Sequence, residues 1–195
     1  MTHSLNNTRV AILATDGFEE SELFEPKKAL EQAGATVDIV SLKAGNIQGM
    51  KHAEKGQSIA VTTLLKEAKA DNYDALVLPG GLLNPDTLRT DKSALAFTTA
   101  FFEQGKPVGA ICHAPQILIS ANLVKGRQMT AVKAVQKDLE NAGAQVLDQS
   151  VVVDQGLVTS RTPDDLKDFC AKLVEEFAEG RHRKQAQETK TAKAA

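Results

Sequence analysis

Cys112 is the residue whose type and setting best suit covalent chemistry. A strand-like apolar run, Val108–Ile111, leads into it, and Pro115 opens a helix-like run after it. A nucleophile at a strand-to-helix turn has a strained backbone and needs small neighbours two residues before and after it, a demand that Ala110 and Ala114 meet. We therefore predict that Cys112 projects from a strand end as a thiolate nucleophile. The alternative is a small buried hydrophobic residue, the usual role of an isolated cysteine.

A carboxyl group and a glycine turn are predicted to lie near this sulfur. In an open α/β sheet, ligands bind at the carboxyl ends of strands, and strands precede both an acidic segment containing Glu22 and the turn Pro79-Gly80-Gly81. We predict that Glu22 stays protonated against Cys112, and that the amides of Gly81 and His113 form an oxyanion hole. A solvated first-turn glutamate and an ordinary strand-end turn are the alternatives.

The role of the His113 side chain is open on the sequence alone. Neighbouring residues at such a turn are expected to point their side chains apart. His113 acts as a base or proton shuttle, or it donates only its backbone amide while an acid such as Asp86 orients its ring. Cys170 is assigned to packing on a helix stripe, and His52 is predicted to lie on the surface.

The length and composition of the chain limit the classes of protein to which it can belong. The chain has 195 residues, 42% of them hydrophobic, which predicts one globular domain. Its net charge of -2 gives no overall positive potential that would attract nucleic acid. Two cysteines and a start without a basic-then-apolar leader predict a cytoplasmic protein. The chain has no apolar run of the ~20 residues that a membrane span needs. Its four histidines are scattered, and no Cys/His spacing resembles a zinc site, so we expect no structural metal.

Apolar strands alternate with helical patterns, which predicts a mostly parallel sheet. Residues 9–180 form the predicted domain, residues 1–8 a flexible N-terminus and residues 181–195 a disordered basic tail. A short hairpin outside the main sheet is expected within residues 43–69, and Pro26 is expected at a bend or an early helical turn because its ring breaks helix interiors.

Four segments together resemble the PfpI branch of the ThiJ/PfpI superfamily: Asp16–Leu23, Leu78–Gly81, Ala110–Ile119 and Val151–Arg161. The resemblance implies a flavodoxin-like three-layer α/β sandwich with a mostly parallel central sheet, similar to class I glutamine amidotransferase domains. It also implies a homodimer or a larger homo-oligomer.

The resemblance further implies a set of site residues. It gives Cys112 as nucleophile, Glu22 as neighbouring acid and His113 as a further catalytic residue, with an acid of the loop after Pro-Gly-Gly, here Asp86, orienting that histidine from a partner subunit. The chain departs from its relatives at Ala131–Ala134, where they commonly carry a tyrosine or histidine.

Several functions fit this resemblance. Our first prediction is a cofactor-free enzyme that acts on reactive carbonyls, such as methylglyoxal, glyoxal or early glycation adducts, through a thiohemiacetal at Cys112. A glycated or unfolded protein is the alternative substrate class. An intracellular cysteine peptidase is the second reading, and a non-enzymatic redox sensor or chaperone is the third.

Overall fold

The computed structural model describes residues 3–194, and in this range it describes every side chain except those of 188 and 190–194. The strands are β1 (Arg9–Leu13), β2 (Phe18–Glu19), β3 (Thr36–Ser41), β4 (Asn46–Lys51), β5 (Glu54–Ala60), β6 (Thr63–Leu64), β7 (Ala75–Leu78), β8 (Val108–Ile111), β9 (Gln128–Met129), β10 (Gln145–Val146), β11 (Val151–Asp154) and β12 (Leu157–Ser160). The helices are α1 (Glu20–Gln32), α2 (Leu83–Leu88), α3 (Lys92–Glu103), α4 (Pro115–Ser120), α5 (Lys133–Asn141), α6 (Leu166–Glu179) and α7 (Arg183–Ala194). None of the helices in this range is long and apolar enough to cross a membrane.

A seven-stranded sheet lies at the centre, in the order β11-β12-β8-β7-β1-β3-β6. All its neighbouring strands pair in parallel except β11 and β12, which form an antiparallel hairpin at one edge. The central strands β1, β7 and β8 are buried on both faces because their residues are almost continuously apolar. The parallel arrangement brings the carboxyl ends of these three strands to one edge of the sheet.

Helices cover both faces of the sheet and give the predicted three layers. Helices α1 and α6 pack on one face, where Leu23, Leu30, Phe169 and Leu173 belong to one apolar cluster. Helices α3, α4 and α5 pack on the other face and contribute to a second cluster. Helix α3 begins after Asp91, whose carboxylate accepts a hydrogen bond from the Ala94 amide at 2.9 Å and so caps the N-terminus of the helix.

Two small sheets lie outside the main one. The β4–β5 hairpin, expected within residues 43–69, pairs with β2 and stands beside the carboxyl end of β1. Strand β9 pairs with β10 in a separate two-stranded sheet. Pro26 lies inside α1 and not at the bend or early turn that we expected. Its missing N–H leaves the Glu22 carbonyl without the donor that a regular helix supplies.

Both ends of the chain are more ordered than the sequence predicts. Leu5, in the segment expected to be flexible, is fully buried, and its amide donates to the Ala33 carbonyl at 2.7 Å. The tail expected to be disordered forms α7, which packs against α3. Gln185 is buried there and donates to the Lys106 carbonyl at 2.7 Å. The His182 amide, just before α7, donates to the Gly105 carbonyl at 2.6 Å, so polar contacts and not an apolar stripe hold this segment. Residues 1–2 and 195 lie outside the described range.

Candidate active site

Cys112 occupies a strained turn between β8 and α4. Its backbone has a φ of 63°, in the left-handed region that non-glycine residues seldom adopt. Ala110 and Ala114 on either side are fully buried, so larger side chains there would meet the core. The Cys112 amide donates to the Ser160 carbonyl at 3.1 Å, which fixes the turn to β12. The geometry matches the strand-to-helix turn predicted from the small neighbours.

Glu22 lies in the first turns of α1 and is fully buried, so the solvated alternative is wrong. Its Oε2 accepts a hydrogen bond from the Gly80 amide at 2.9 Å. Burial raises the pKa of Glu22 from 4.5 to about 8. The hydrogen bond with Cys112 opposes this rise most strongly, the charge of Glu19 adds to it, and the amides of Gly80 and Gly81 oppose it more weakly. Glu22 therefore holds a proton at neutral pH, as predicted.

The Cys112 thiol shares this environment and is only 8% exposed. Burial and then the Glu22 carboxyl raise the pKa of Cys112, while the amides of Gly81 and His113 lower it. The pKa of Cys112 is raised overall, because the turn buries the sulfur beside an acid. This favours the thiol and not the thiolate that we predicted. Two acids in one buried site titrate as a pair, and the first proton lost leaves one negative charge for both.

The side chain of His113 turns toward the sulfur. Its Nδ1 lies 3.1 Å from Cys112 Sγ, which corrects our expectation that adjacent side chains point apart. The ring is partly buried, and burial lowers the pKa of His113, so the imidazole is neutral near pH 7. A neutral imidazole in contact with a thiol can accept its proton.

Gly80 and Gly81 let the loop approach both acids. A Cβ at Gly80 would stand 2.5 Å from Glu22 Oε2 and 2.8 Å from Cys112 Cβ. Gly81 has a φ of +86°, and a Cβ there would collide with the Gly17 carbonyl and the Glu19 amide. A side chain at position 80 would therefore displace the reacting groups, and one at position 81 would displace the backbone of residues 17–19.

Asn84 is a site residue that the sequence reasoning missed. Its fully buried amide side chain accepts from the Thr15 amide at 2.8 Å and donates to the Pro79 carbonyl at 2.8 Å. It thereby ties the end of β1 to the glycine turn that holds Glu22. Its polar type within a loop gave no signal, because its partners are far apart in sequence.

Asp86 stays outside this group. It lies on α2 with an exposed side chain, and within residues 3–194 no hydrogen bond joins it to His113. The structure thus brings Cys112, Glu22, His113 and Gly81 together within one subunit and leaves Asp86 free for solvent or a second subunit.

A cavity of about 750 Å³ opens over the sulfur. Its walls come from strand ends, the tip of the β4–β5 hairpin and the start of α2. The residues lining it are Gly17, Glu19, Glu22, Met50, His52, Ala53, Gly81, Leu82, Leu83, Cys112, His113, Val132, Thr162, Pro163 and Asp164. His52 is exposed, as predicted, yet it forms part of this wall. Val132 makes one part of this wall aliphatic.

One group of side chains has donors suited to a metal ion. Ligand atoms of Glu176, Glu179 and His182 lie within 4.8 Å of one another, and His182 Nε2 is 3.4 Å from Glu176 Oε2. These residues lie at the end of α6 and before α7, and none of them lines the cavity.

The sequence matches the model of the DJ-1/PfpI family over residues 8–176. The chain belongs to this family. It is 45% identical over 161 residues to a Bacillus subtilis protein named "Putative cysteine protease YraA", covering 83% of this chain and 93% of that protein. It is 46% identical over 171 residues to the Staphylococcus aureus "Uncharacterized protein SAV1875", covering 87% and 98% of the two chains.

Solved structures of the family confirm the fold. A two-domain Anabaena variabilis protein with DJ-1/ThiJ/PfpI-like and ferritin-like domains superposes with a TM-score of 0.81 at 38% identity, over 86% of this chain and 47% of that one. This chain therefore spans about half of that protein. Schizosaccharomyces pombe DJ-1 superposes with a TM-score of 0.78 at 25% identity, over 95% and 98% of the two chains. The predicted family and its flavodoxin-like α/β sandwich are both confirmed.

Proposed function

We propose that this protein is a cysteine-dependent enzyme that acts on reactive carbonyl compounds without a cofactor. The observation that carries the proposal is the contact of one sulfur with a protonated carboxylic acid, a neutral imidazole and two backbone amides at the floor of one cavity. Addition of a thiol to an aldehyde needs a proton acceptor for sulfur and a donor for the carbonyl oxygen. The four groups supply both within one subunit.

The first step forms a thiohemiacetal. The Cys112 thiol gives its proton to His113, the sulfur bonds to the aldehyde carbon, and the carbonyl π bond breaks toward oxygen. The amides of Gly81 and His113 stabilise the developing oxyanion. Glu22 then protonates this oxygen, and the proton on His113 restores the Glu22 acid, so charge and protons balance.

For a 2-oxoaldehyde such as methylglyoxal, a second proton shift completes the reaction. A base, Glu22 in its ionised form or His113, removes the hydrogen from the carbon bound to sulfur and gives an enediol. Reprotonation at the adjacent carbon forms a thioester, and water releases a 2-hydroxy acid and the free thiol. The overall reaction adds one water molecule and needs neither oxidant nor reductant.

Peptide hydrolysis is the second candidate function. It is favoured by the name of the Bacillus subtilis relative, a putative cysteine protease, and by the 3.1 Å contact between Cys112 Sγ and His113 Nδ1. A cysteine peptidase needs a histidine that takes the thiol proton and returns it to the amine leaving group. It also needs a third group to orient the imidazole. In this chain that group would have to come from elsewhere, since Asp86 does not reach His113.

We further propose that a second copy of the chain covers this side of the molecule. Leu82 and Leu83 are 68% and 60% exposed at the rim of the cavity, and Asp86 is exposed on the same short helix. Apolar pairs of this size seldom stay in water when a partner is available. Sedimentation of the native chain and of Leu82→Ser is expected to show a homodimer or larger oligomer that the substitution weakens, and a monomeric native chain would refute it.

One set of assays tests the enzymatic proposal. Native protein, Cys112→Ser and the control Cys170→Ser are incubated with methylglyoxal in the absence of glutathione, and lactate is measured; the same samples are tested on unfolded casein. We expect lactate from the native protein and from Cys170→Ser but not from Cys112→Ser. Casein cleavage without lactate would establish the peptidase instead. Absence of both reactions in every sample would leave only the redox sensor or chaperone.

A further inference from the structure

Three carboxyl side chains line the cavity over Cys112, and of these the buried Glu22 is protonated near neutral pH. Glu19 at the end of β2 and Asp164 in the turn before α6 form its walls, and Glu22 lies at its floor. Among the residues that line it in the described part of the chain there is no lysine or arginine. This imbalance is local, because the whole chain carries 23 Lys and Arg against 25 Asp and Glu.

Two cations beside the cavity segments are committed to other partners. Arg161 directly precedes the cavity segment that contains Asp164, but its guanidinium pairs with Asp165 and Asp148, each at 2.8 Å. Lys43 pairs with Asp16 at 2.6 Å. Neither side chain is placed to neutralise the cavity walls.

The Glu19 carboxylate is held in position at the wall. Its Oε2 accepts a hydrogen bond from the His52 amide at 3.1 Å, and the residue is only 9% exposed. It is close enough to Glu22 for its charge to raise the pKa of that acid. A charged group entering the cavity therefore meets the field of Glu19 in a partly dry setting, where Coulomb interactions are stronger than in water.

We propose that this cavity selects carbonyl substrates by charge, admitting neutral or cationic aldehydes and rejecting those that carry a carboxylate or phosphate, with Glu19 and Asp164 setting the selectivity. The apolar side chains of Met50, Leu82 and Leu83 complete a wall suited to the uncharged part of such a substrate. The substrate class rests on the proposed function, whereas the charge preference is a property of the cavity that is measurable without turnover.

Charged thiol reagents of similar size measure this preference. Methanethiosulfonates carrying a trimethylammonium or a sulfonate group are reacted with Cys112 in a Cys170→Ser background. The cysteine sulfur forms a disulfide with the reagent's thiol sulfur, the bond to the sulfonyl sulfur breaks, and methanesulfinate leaves as the thiol proton is released. Each rate is divided by the rate of the same reagent with 2-mercaptoethanol, which removes intrinsic differences in reactivity.

We expect the cationic reagent to react at least about tenfold faster than the anionic one after this correction, the factor that about 1.4 kcal/mol of Coulomb energy produces. Glu19→Gln, which keeps the acceptor for the His52 amide, and Asp164→Asn are each expected to lower the ratio about threefold. Asp138→Asn removes one exposed acid of α5 that does not line the cavity, and it is expected to leave the ratio unchanged.

The outcomes separate the two proposals. A normalised ratio near one in the native protein, or an equal fall in Asp138→Asn, overturns charge selection even if methylglyoxal is consumed. A high ratio that falls only in the two cavity variants supports it, and absence of methylglyoxal turnover in the same preparations would then refute the proposed reaction alone. If Glu19→Gln fails to fold, the exposed Asp164 provides the same comparison.

Discussion

Replacement of Glu22 by glutamine tests the electrostatic basis of the site through stability. Burial raises the pKa of Glu22 from 4.5 to about 8, so the folded chain binds this proton more tightly than the unfolded chain. A raised pKa contributes stability that is complete below pH 4.5 and is lost as pH rises toward 8. At 1.36 kcal/mol per pH unit, the loss over the whole window is on the order of 5 kcal/mol.

Glutamine cannot ionise, so Glu22→Gln is expected to lack this loss. Its carbonyl oxygen can still accept the Gly80 amide hydrogen bond. Urea unfolding at several pH values between 5 and 7.5 measures the free energy of unfolding of both proteins. We expect the native protein to lose on the order of 3 kcal/mol relative to the variant across this range. Glu67→Gln, an exposed glutamate with no side-chain partner among the described contacts, is the matched control and should follow the native protein.

Parallel pH profiles for the native protein and Glu22→Gln would refute this reasoning. They would mean that Glu22 is ionised in the folded state across the range, and hence that it cannot donate a proton to a substrate oxygen near neutral pH. A profile shared by the native protein and Glu67→Gln but flattened in Glu22→Gln would support it.

Three further substitutions probe the parts that hold the acid, the sulfur and the tail. Gly80→Ala places a Cβ 2.5 Å from Glu22 Oε2 and 2.8 Å from Cys112 Cβ, so we expect at least a tenfold lower kcat on methylglyoxal with a still cooperative urea transition. Asn84→Ala leaves the buried Thr15 amide without its acceptor and should cost about 1–3 kcal/mol of unfolding free energy. Gln185→Ala removes the bond to the Lys106 carbonyl, and faster hydrogen exchange in α7 with unchanged kcat is expected. An unchanged kcat in Gly80→Ala, an unchanged free energy of unfolding in Asn84→Ala, or unchanged hydrogen exchange in Gln185→Ala would contradict the role assigned to that residue.

The layered fold could be predicted because its signals are local. The apolar runs of β1, β7 and β8 and the cap at Asp91 are readable within a few residues of sequence, and the structure has each of them. The strained turn at Cys112 could also be predicted, because such a turn requires small residues on either side of the nucleophile and the sequence has alanine at both positions. The proximity of Glu22 followed once the strand ends were known to share one edge of the sheet.

What could not be predicted depends on distant contacts. The bond from Asn84 to Thr15 spans 69 residues, and that from Gln185 to Lys106 spans 79. Neither hydrogen bond can be recognised from the amino-acid composition. The same holds for the raised pKa of the thiol, which depends on how deeply the turn is buried beside an acid. The orientation of the His113 ring toward the sulfur depends on rotamer packing, which spacing along the chain does not fix.

The backbone of Cys112 bears on how this chain tolerates mutation. Asn7, His52 and Asn122 also have positive φ, and their residue types adopt that region comparatively readily. Cysteine does not, so its conformation costs on the order of 1–3 kcal/mol that the surrounding structure must offset. Selection for folding alone would favour glycine at this position. A cysteine that is retained at this position therefore indicates selection for its chemistry. Related proteins that have the same fold but another residue here are expected to lack the reaction.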